Sequence, residues 1–260
     1  VNPGGITGNT ASVTISGLVP NTYNYTVTSG TCTSAPSADV VILPATTAIW
    51  NGSAWANGPP TSNQALIFTG SYNSPGDLTA CSCTVTSGAV VFNPNHTLKI
   101  TNWVHVNGGS LTFENNASLV QINNAAVNTG NITYKRNFTG GEFDYTYWSS
   151  PVALQNLQTL SPNTKLDKFF YFNSSLNDWI QVDPSSTTMD AGKGYIIRGV
   201  PIPSGPPPPG FGTNSFIGIP NNGSYSITGI IADRSYLLGN PYPSALDADK
   251  FIQDNLATIN

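Results

Sequence analysis

The sequence predicts an all-β chain in three parts. These are a partial immunoglobulin-like or fibronectin-like module over residues 1–45, a short, capped parallel β-solenoid over 46–137, and an antiparallel β-sandwich over 138–260. Three observations predict it. First, Val85–Phe92, Val106–Phe113 and Val127–Tyr134 superpose at a fixed offset of 21 residues, glycine on glycine and aromatic on aromatic. A fixed period of this length is one supersecondary unit stacked on copies of itself. Second, charged residues make up only 8% of the chain and aromatic residues 10%. Asn, Thr, Ser, Gly and Pro fill the balance, which favours short strands joined by turns over helices, with enough apolar surface to fold. Third, Ala11–Ile15 and Tyr23–Thr28 alternate with the period of two that half-buried strands show.

Taken in order, residues 1–43 contain only about three strands: Ala11–Ile15, Tyr23–Thr28 and Asp39–Leu43. A complete sandwich of this type needs about seven. Leu18-Val19-Pro20-Asn21-Thr22-Tyr23 resembles the tyrosine-bearing corner of fibronectin-like modules, and a linker follows at Pro44–Thr47. Trp50-Asn51-Gly52-Ser53-Ala54-Trp55 is expected to be a hairpin that caps the open end of the solenoid, because an uncovered coil exposes unpaired backbone. Ala65–Phe68 and Cys81–Val85 are the entry strands. The coils run from Val85 to Tyr134, each expected as strand, Gly/Asn turn, strand, Asn-rich turn. Beyond Asn137 the period is lost. Strands are expected at Tyr145–Trp148, Lys168–Phe172, Trp179–Val182, Gly194–Arg198, Ser224–Ile227 and Tyr236–Leu238. Pro201–Gly210, with four consecutive prolines, is expected to be an extended exposed loop. Tyr147-Trp148-Ser149-Ser150-Pro151 is weakly echoed by Leu237-Leu238-Gly239-Asn240-Pro241 at an offset of 90, which points to two related halves. A brief helix is expected over Ala248–Asn255, capped by Asp247.

Composition also excludes function classes. A formal net charge of −4, from nine basic and 13 acidic residues, leaves no basic face for nucleic acid. No apolar run reaches the length of a membrane-spanning helix. Of the three cysteines, Cys81 and Cys83 flank Ser82 on one strand face, too strained to bridge readily, and read with Cys32 as small apolar side chains.

Candidate sites are few. Gly192-Lys193-Gly194 lacks the spacing of a phosphate loop. Asp247 and Asp249 could share a structural Ca²⁺, although helix capping accounts for Asp247; no other cofactor is expected. In the coils the charged residues are Lys99, Glu114, Lys135 and Arg136, with Glu114 expected to face solvent alone. That set lacks the facing carboxylates of glycan hydrolysis. Trp50, Trp55 and Trp103, with Asn and Thr nearby, form the candidate sugar-stacking set. The competing reading makes Trp50 and Trp55 the cap, with Trp148 and Trp179 in the sandwich core.

Several motifs in combination resemble one family over residues 46–260. They are Trp50–Trp55, Leu119-Val120-Gln121, Gly130–Arg136, Tyr145–Val152, Ala191–Arg198 and Gly239–Ser244. They are similar to large surface proteins secreted by Bacteroidota, in the block preceding the C-terminal sorting domain read by the type IX secretion system. The resemblance implies an extracellular, cell-surface location and an adhesin-like role, and it carries no catalytic residues. It also turns eight Asn-x-Ser/Thr sites, among them Asn95, Asn116 and Asn137, from glycan acceptors into turn residues able to form amide ladders. The expected function is therefore a structural or adhesive segment without catalysis. Its partners would be other modules of the same long chain, surface glycans or the secretion machinery. The alternatives are a carbohydrate-binding module using exposed tryptophans and a non-catalytic part of a glycan-active enzyme.

Overall fold

The structure, a computed structural model, describes residues 15, 18, 20–42, 46–200 and 211–259. The expected strand Ala11–Ile15, except its last residue, Val19 of the expected corner, Leu43, the linker as far as Ala45 and the extended loop expected over 201–210 lie outside these residues. The chain divides into two compact units, 1–46 and 47–260. In the first, β1 (Asn21–Tyr23) pairs antiparallel with β4 (Val40–Ile42), and β2 (Thr28–Ser29) with β3 (Cys32–Thr33). The expected strand Tyr23–Thr28 is interrupted. The N–H groups of Tyr25 and Val27 donate instead to the hydroxyls of Ser37 and Ser34, both at 3.0 Å. Serine side chains there replace ladder carbonyls.

The second unit is all-β and opens on a parallel β-solenoid of about four turns. Strand β5 (Thr47–Trp50) lies parallel to β6 (Ala65–Phe68), which begins a coil with β7 (Tyr72–Asn73) and β8 (Leu78–Ala80). The next coil is β9 (Ser82–Val85), β10 (Ala89–Phe92) and β11 (Thr97–Ile100). Above it lie β12 (Val104–Val106), β13 (Ser110–Phe113) and β14 (Ser118–Gln121), and the last coil closes with β15 (Ile132–Thr139). Each complete coil thus has three strands and three sheets rather than the two strands the turn signals suggested. The third corner, Thr101-Asn102-Trp103, carries no glycine and so gives no turn signal in the sequence.

Register follows the repeat: Val90 faces Leu111, Leu98 faces Leu119, and Thr112 faces Thr133. Two corners explain why the period is strict. Gly88, Gly109 and Gly130 all have positive φ, and a Cβ on Gly109 would lie 2.1 Å from the Gly88 carbonyl oxygen. Only glycine fits where successive backbones approach so closely. Asn95 and Asn116, also 21 apart, take the left-handed conformation at the second corner (φ 67° and 65°), which asparagine tolerates better than most residues. Inside, Tyr72, Phe92, Phe113 and Tyr134 form one aromatic column with centroid spacings of 6.3, 5.2 and 6.3 Å. Each fully buried ring contributes roughly 2–3 kcal/mol, so this column is a principal source of rigidity.

Polar side chains repeat too. Asn123 donates to the Asn102 side-chain oxygen at 3.0 Å, and Asn102 donates to the Cys81 sulfur at 3.2 Å, one coil apart each time. Glu114 is not alone in solvent. It pairs with Lys135 of the next coil at 2.8 Å, because the 21-residue offset places the two side by side. Cys81 sits at the corner before β9 and is half-buried. Cys83 points inward and is fully buried, so the alternation expected for the pair does not extend through the corner.

Past the coils, β15 continues through the expected boundary at 137/138 and pairs antiparallel with β20 (Phe211–Gly218) along eight residues. A four-stranded antiparallel sheet lies against this ribbon. Its strands are β16 (Tyr145–Trp148), β17 (Phe169–Asn173), β18 (Asp178–Gln181) and β19 (Tyr195–Arg198), in the order β16-β19-β17-β18. Trp148 packs against Phe138 and Phe216, both at 5.8 Å. A one-turn helix α1 (Leu157–Leu160), capped by Asn156, adds Leu157 and Leu160 to the core. Helix α2 (Ala248–Asp254) forms as expected, with Asp247 accepting from the Lys250 N–H at 2.9 Å.

Five further features differ from expectation. Ser224–Ile227 is not a strand, and of Tyr236–Leu238 only one bridge, Leu238 to Lys193, pairs. Neither β20 nor α1 was foreseen. Trp179 lies on the outer sheet face with Tyr147 (6.3 Å) and Phe172 (5.2 Å), because strand alternation sends it opposite to Trp148. The two echoed segments are neighbours, the Ser149 hydroxyl donating to the Asn240 carbonyl at 2.9 Å. The solenoid's last coil is covered by loops of the same unit, with the Leu119 N–H donating to Pro243 and Asn128 to Pro220.

Candidate functional site

The three tryptophans singled out from the sequence do not form one surface. Trp50 and Trp55 face each other across a bridge, their rings edge-on at 5.2 Å and 62°. Both pack on Tyr72, at 5.1 and 5.7 Å, and the Trp50 indole N–H donates to the Ser71 carbonyl at 2.8 Å. An edge-on pair anchored in the first rung of the aromatic column presents no flat face for a sugar ring. Trp103 sits at the third corner, 40% exposed, and lies nearly parallel over His105 at 5.5 Å. In the sheet order β12-β9-β6-β5 it begins three strand spacings from the Trp50 strand, roughly 14 Å.

Asp247 and Asp249 both belong to the start of α2, the first as its cap. Among the described residues no group of three His, Cys, Asp or Glu side chains is placed to hold a metal ion.

The structure instead assembles a cleft of about 910 Å³ that the sequence did not indicate. One wall is the last coil, with Asn115, Asn116 and Ser118 at the corner and Tyr134 to Thr139 along β15. The facing wall is β16, and Asn240, Tyr242 and Ser244 close one end. The walls meet because β15 leaves the solenoid to join β20, while β16 turns back across it.

Among the described residues, Arg136 is the one formally charged side chain lining the cleft. Its guanidinium donates to the carbonyls of Lys135 (2.7 Å), Ala117 (2.8 Å) and Glu114 (3.3 Å), and also to the Tyr134 hydroxyl. Burial lowers its pKa to about 10, and it lies 3.7 Å from the centroid of the Tyr134 ring. It is therefore a brace for the last coil, replacing the strand that a further coil would supply.

β16 presents an unpaired edge to this cleft. The Gly199 N–H donates to the Asp144 carbonyl at 2.8 Å and that of Arg198 to Lys168 at 3.1 Å. By the alternation of antiparallel ladders the main-chain groups of Tyr145 and Tyr147 then point away from β19. The Tyr147 ring, by contrast, lies on the outer sheet face with Trp179. The cleft can thus offer amides and hydroxyls, and among the described residues it places no general acid beside a base.

A family model described as Domain of unknown function (DUF8693) matches residues 45–260. No curated protein and no solved structure matches the chain.

Proposed function

The chain belongs to this DUF8693 family, and we propose that residues 46–260 form a structural and adhesive segment of a secreted bacterial cell-surface protein, without catalysis. The observation that carries this reading is the use of the solenoid's side chains. Its aromatic column and its Asn102–Asn123 and Glu114–Lys135 pairs hold one coil to the next. Such a stack is a stiff spacer whose stability grows by nearest-neighbour contacts. The likeness of its motifs to type IX secreted proteins of Bacteroidota supports an extracellular location, with other modules of the same chain as its first partners. No helix among the described residues is long and apolar enough to cross a membrane.

The test is localisation of the tagged full-length protein in its native cells, with and without a working type IX secretion system. Surface labelling and protease shaving should detect it on intact cells and lose it when secretion is blocked. A protein that stays inside the cell in both strains would overturn the reading.

A further inference from the structure

We propose that the outer face of the solenoid sheet β12-β9-β6-β5, around Trp103 and His105, binds an uncharged glycan by stacking a sugar ring on the indole. This deepens the adhesive part of the reading above, on which it rests, by naming a ligand class and a site. Leu66, Cys83 and Val104 turn one face of the sheet into the core, and the register sets the other. One outward row runs Ile49, Ile67, Thr84, His105 and Thr129, each paired with the next, at about 4.8 Å per strand. Trp103 lies beside this row, just before β12, and its carbonyl accepts the Cys83 N–H at 3.0 Å.

Three observations point to a sugar there. First, strand alternation puts residues 103 and 105 on the same outward face. The indole is 40% exposed and lies at 23° to the His105 imidazole, 5.5 Å away. His105 is its one ring neighbour among the described residues, whereas Trp50 and Trp55 close on each other and on Tyr72. An indole offers a pyranose an apolar face and a polar N–H at its edge.

Second, the polar groups around the rings have unspent hydrogen bonds. Among the described residues the Trp103 indole N–H, the His105 ring nitrogens and the hydroxyls of Thr84 and Thr129 make no hydrogen bond inside the protein. At the coil corners such groups are consumed, as in Asn102 with Asn123 and Glu114 with Lys135. Hydroxyls and an imidazole both donate and accept, which matches the hydroxyls of a sugar. Third, the four strands of this sheet carry no Asp, Glu, Lys or Arg. An acidic glycan would find no cation on them and would face the chain's net charge of −4.

A protein partner is the rival occupant. Strand addition is closed to it, because β12 is already paired on both sides, with β9 and with Thr129. The large exposed apolar side chains here are Trp103 and, two residues before Thr129, Val127. That is a smaller apolar centre than a protein interface needs.

The experiment is an array of neutral oligosaccharides (glucans, mannans, galactans and N-acetylglucosamine polymers) with uronic and sulfated glycans alongside, probed with the 260-residue protein. Titration calorimetry on the best neutral hit follows. Trp103→Ala should weaken binding about tenfold, and Trp103→Phe, which keeps an aromatic face, should retain most of it. His105→Ala should weaken it about threefold. Tyr147→Ala, which removes an exposed ring from the antiparallel sheet, should leave it unchanged, and circular dichroism should show all four variants folded. No neutral hit, which would leave the face to a protein partner, overturns the proposal. So does stronger binding of acidic glycans, or binding that Tyr147→Ala abolishes and Trp103→Ala does not. A negative array leaves the surface location standing. Intracellular protein that still binds sugar through Trp103 would sink the location and keep the site.

Discussion

Four glycines separate two effects that the coil corner combines, and substituting each by alanine tests whether close stacking or backbone conformation holds the solenoid. Gly76 has neither a positive φ nor any atom within 4 Å of an added Cβ. Gly58 has φ +76° and open space, so an alanine there meets only the left-handed strain, about 1–2 kcal/mol. Gly108 has an ordinary φ, but its Cβ would sit 2.3 Å from the Thr86 carbonyl oxygen. Gly109 has both, with φ +70° and a Cβ 2.1 Å from the Gly88 oxygen. To relieve that contact the two coils must part by about 1 Å, which is an overpacking cost of about 1–3 kcal/mol.

The same separation stretches the 2.9 Å bond from the Ser110 N–H to Gly88, a further ~1 kcal/mol. The expected order of destabilisation is Gly109→Ala at about 3–5 kcal/mol, then Gly108→Ala and Gly58→Ala at about 1–3, and Gly76→Ala within about 0.5. Urea unfolding at neutral pH, followed by far-ultraviolet circular dichroism and tryptophan fluorescence, measures all four. If Gly109→Ala costs no more than Gly58→Ala, inter-coil contact is not what restricts this corner, and the argument for a tightly stacked rod fails.

Three further outcomes follow. Phe113→Ala removes the middle rung of the aromatic column, a fully buried ring stacked on Phe92 at 14°, and should cost about 3–5 kcal/mol in the same urea titration; a loss under about 1 kcal/mol would mean the column does not hold the coils. Burial pushes the Cys83 thiol up to about 12 from its ordinary 9.0. Below about pH 9 both folded and unfolded states keep the proton, so its contribution is complete there. From 9 to 12 only the unfolded thiol ionises, and stability falls by about 1.4 kcal/mol per pH unit. Cys83→Ala should flatten that slope relative to the wild type, and equal slopes would refute it. At pH 8, a thiol reagent should modify exposed Cys32 and spare Cys83 until the protein unfolds.

The sequence by itself determined the features that depend on neighbours in a repeat. The register of Val90 on Leu111 and of Phe92 on Phe113 is the 21-residue offset read directly, since stacking identical units converts sequence spacing into spatial contact. Helix α2 and its Asp247 cap were legible for a similar reason, because a cap bond is made within one turn. Tertiary structure alone decided what long-range pairing decides. β20 pairs with β15 from 76 positions away at Asn137 and Thr213, and no local pattern encodes a partner at that distance. Ser224–Ile227 carries strand-like residues but found no ladder, so propensity alone did not make it a strand. The cleft belongs to this second class. Its walls, Asn116 and Thr146, read locally as a turn residue and a strand residue. They became facing surfaces only when β15 left the coils and β16 crossed back, because a site between layers exists only after the layers have packed.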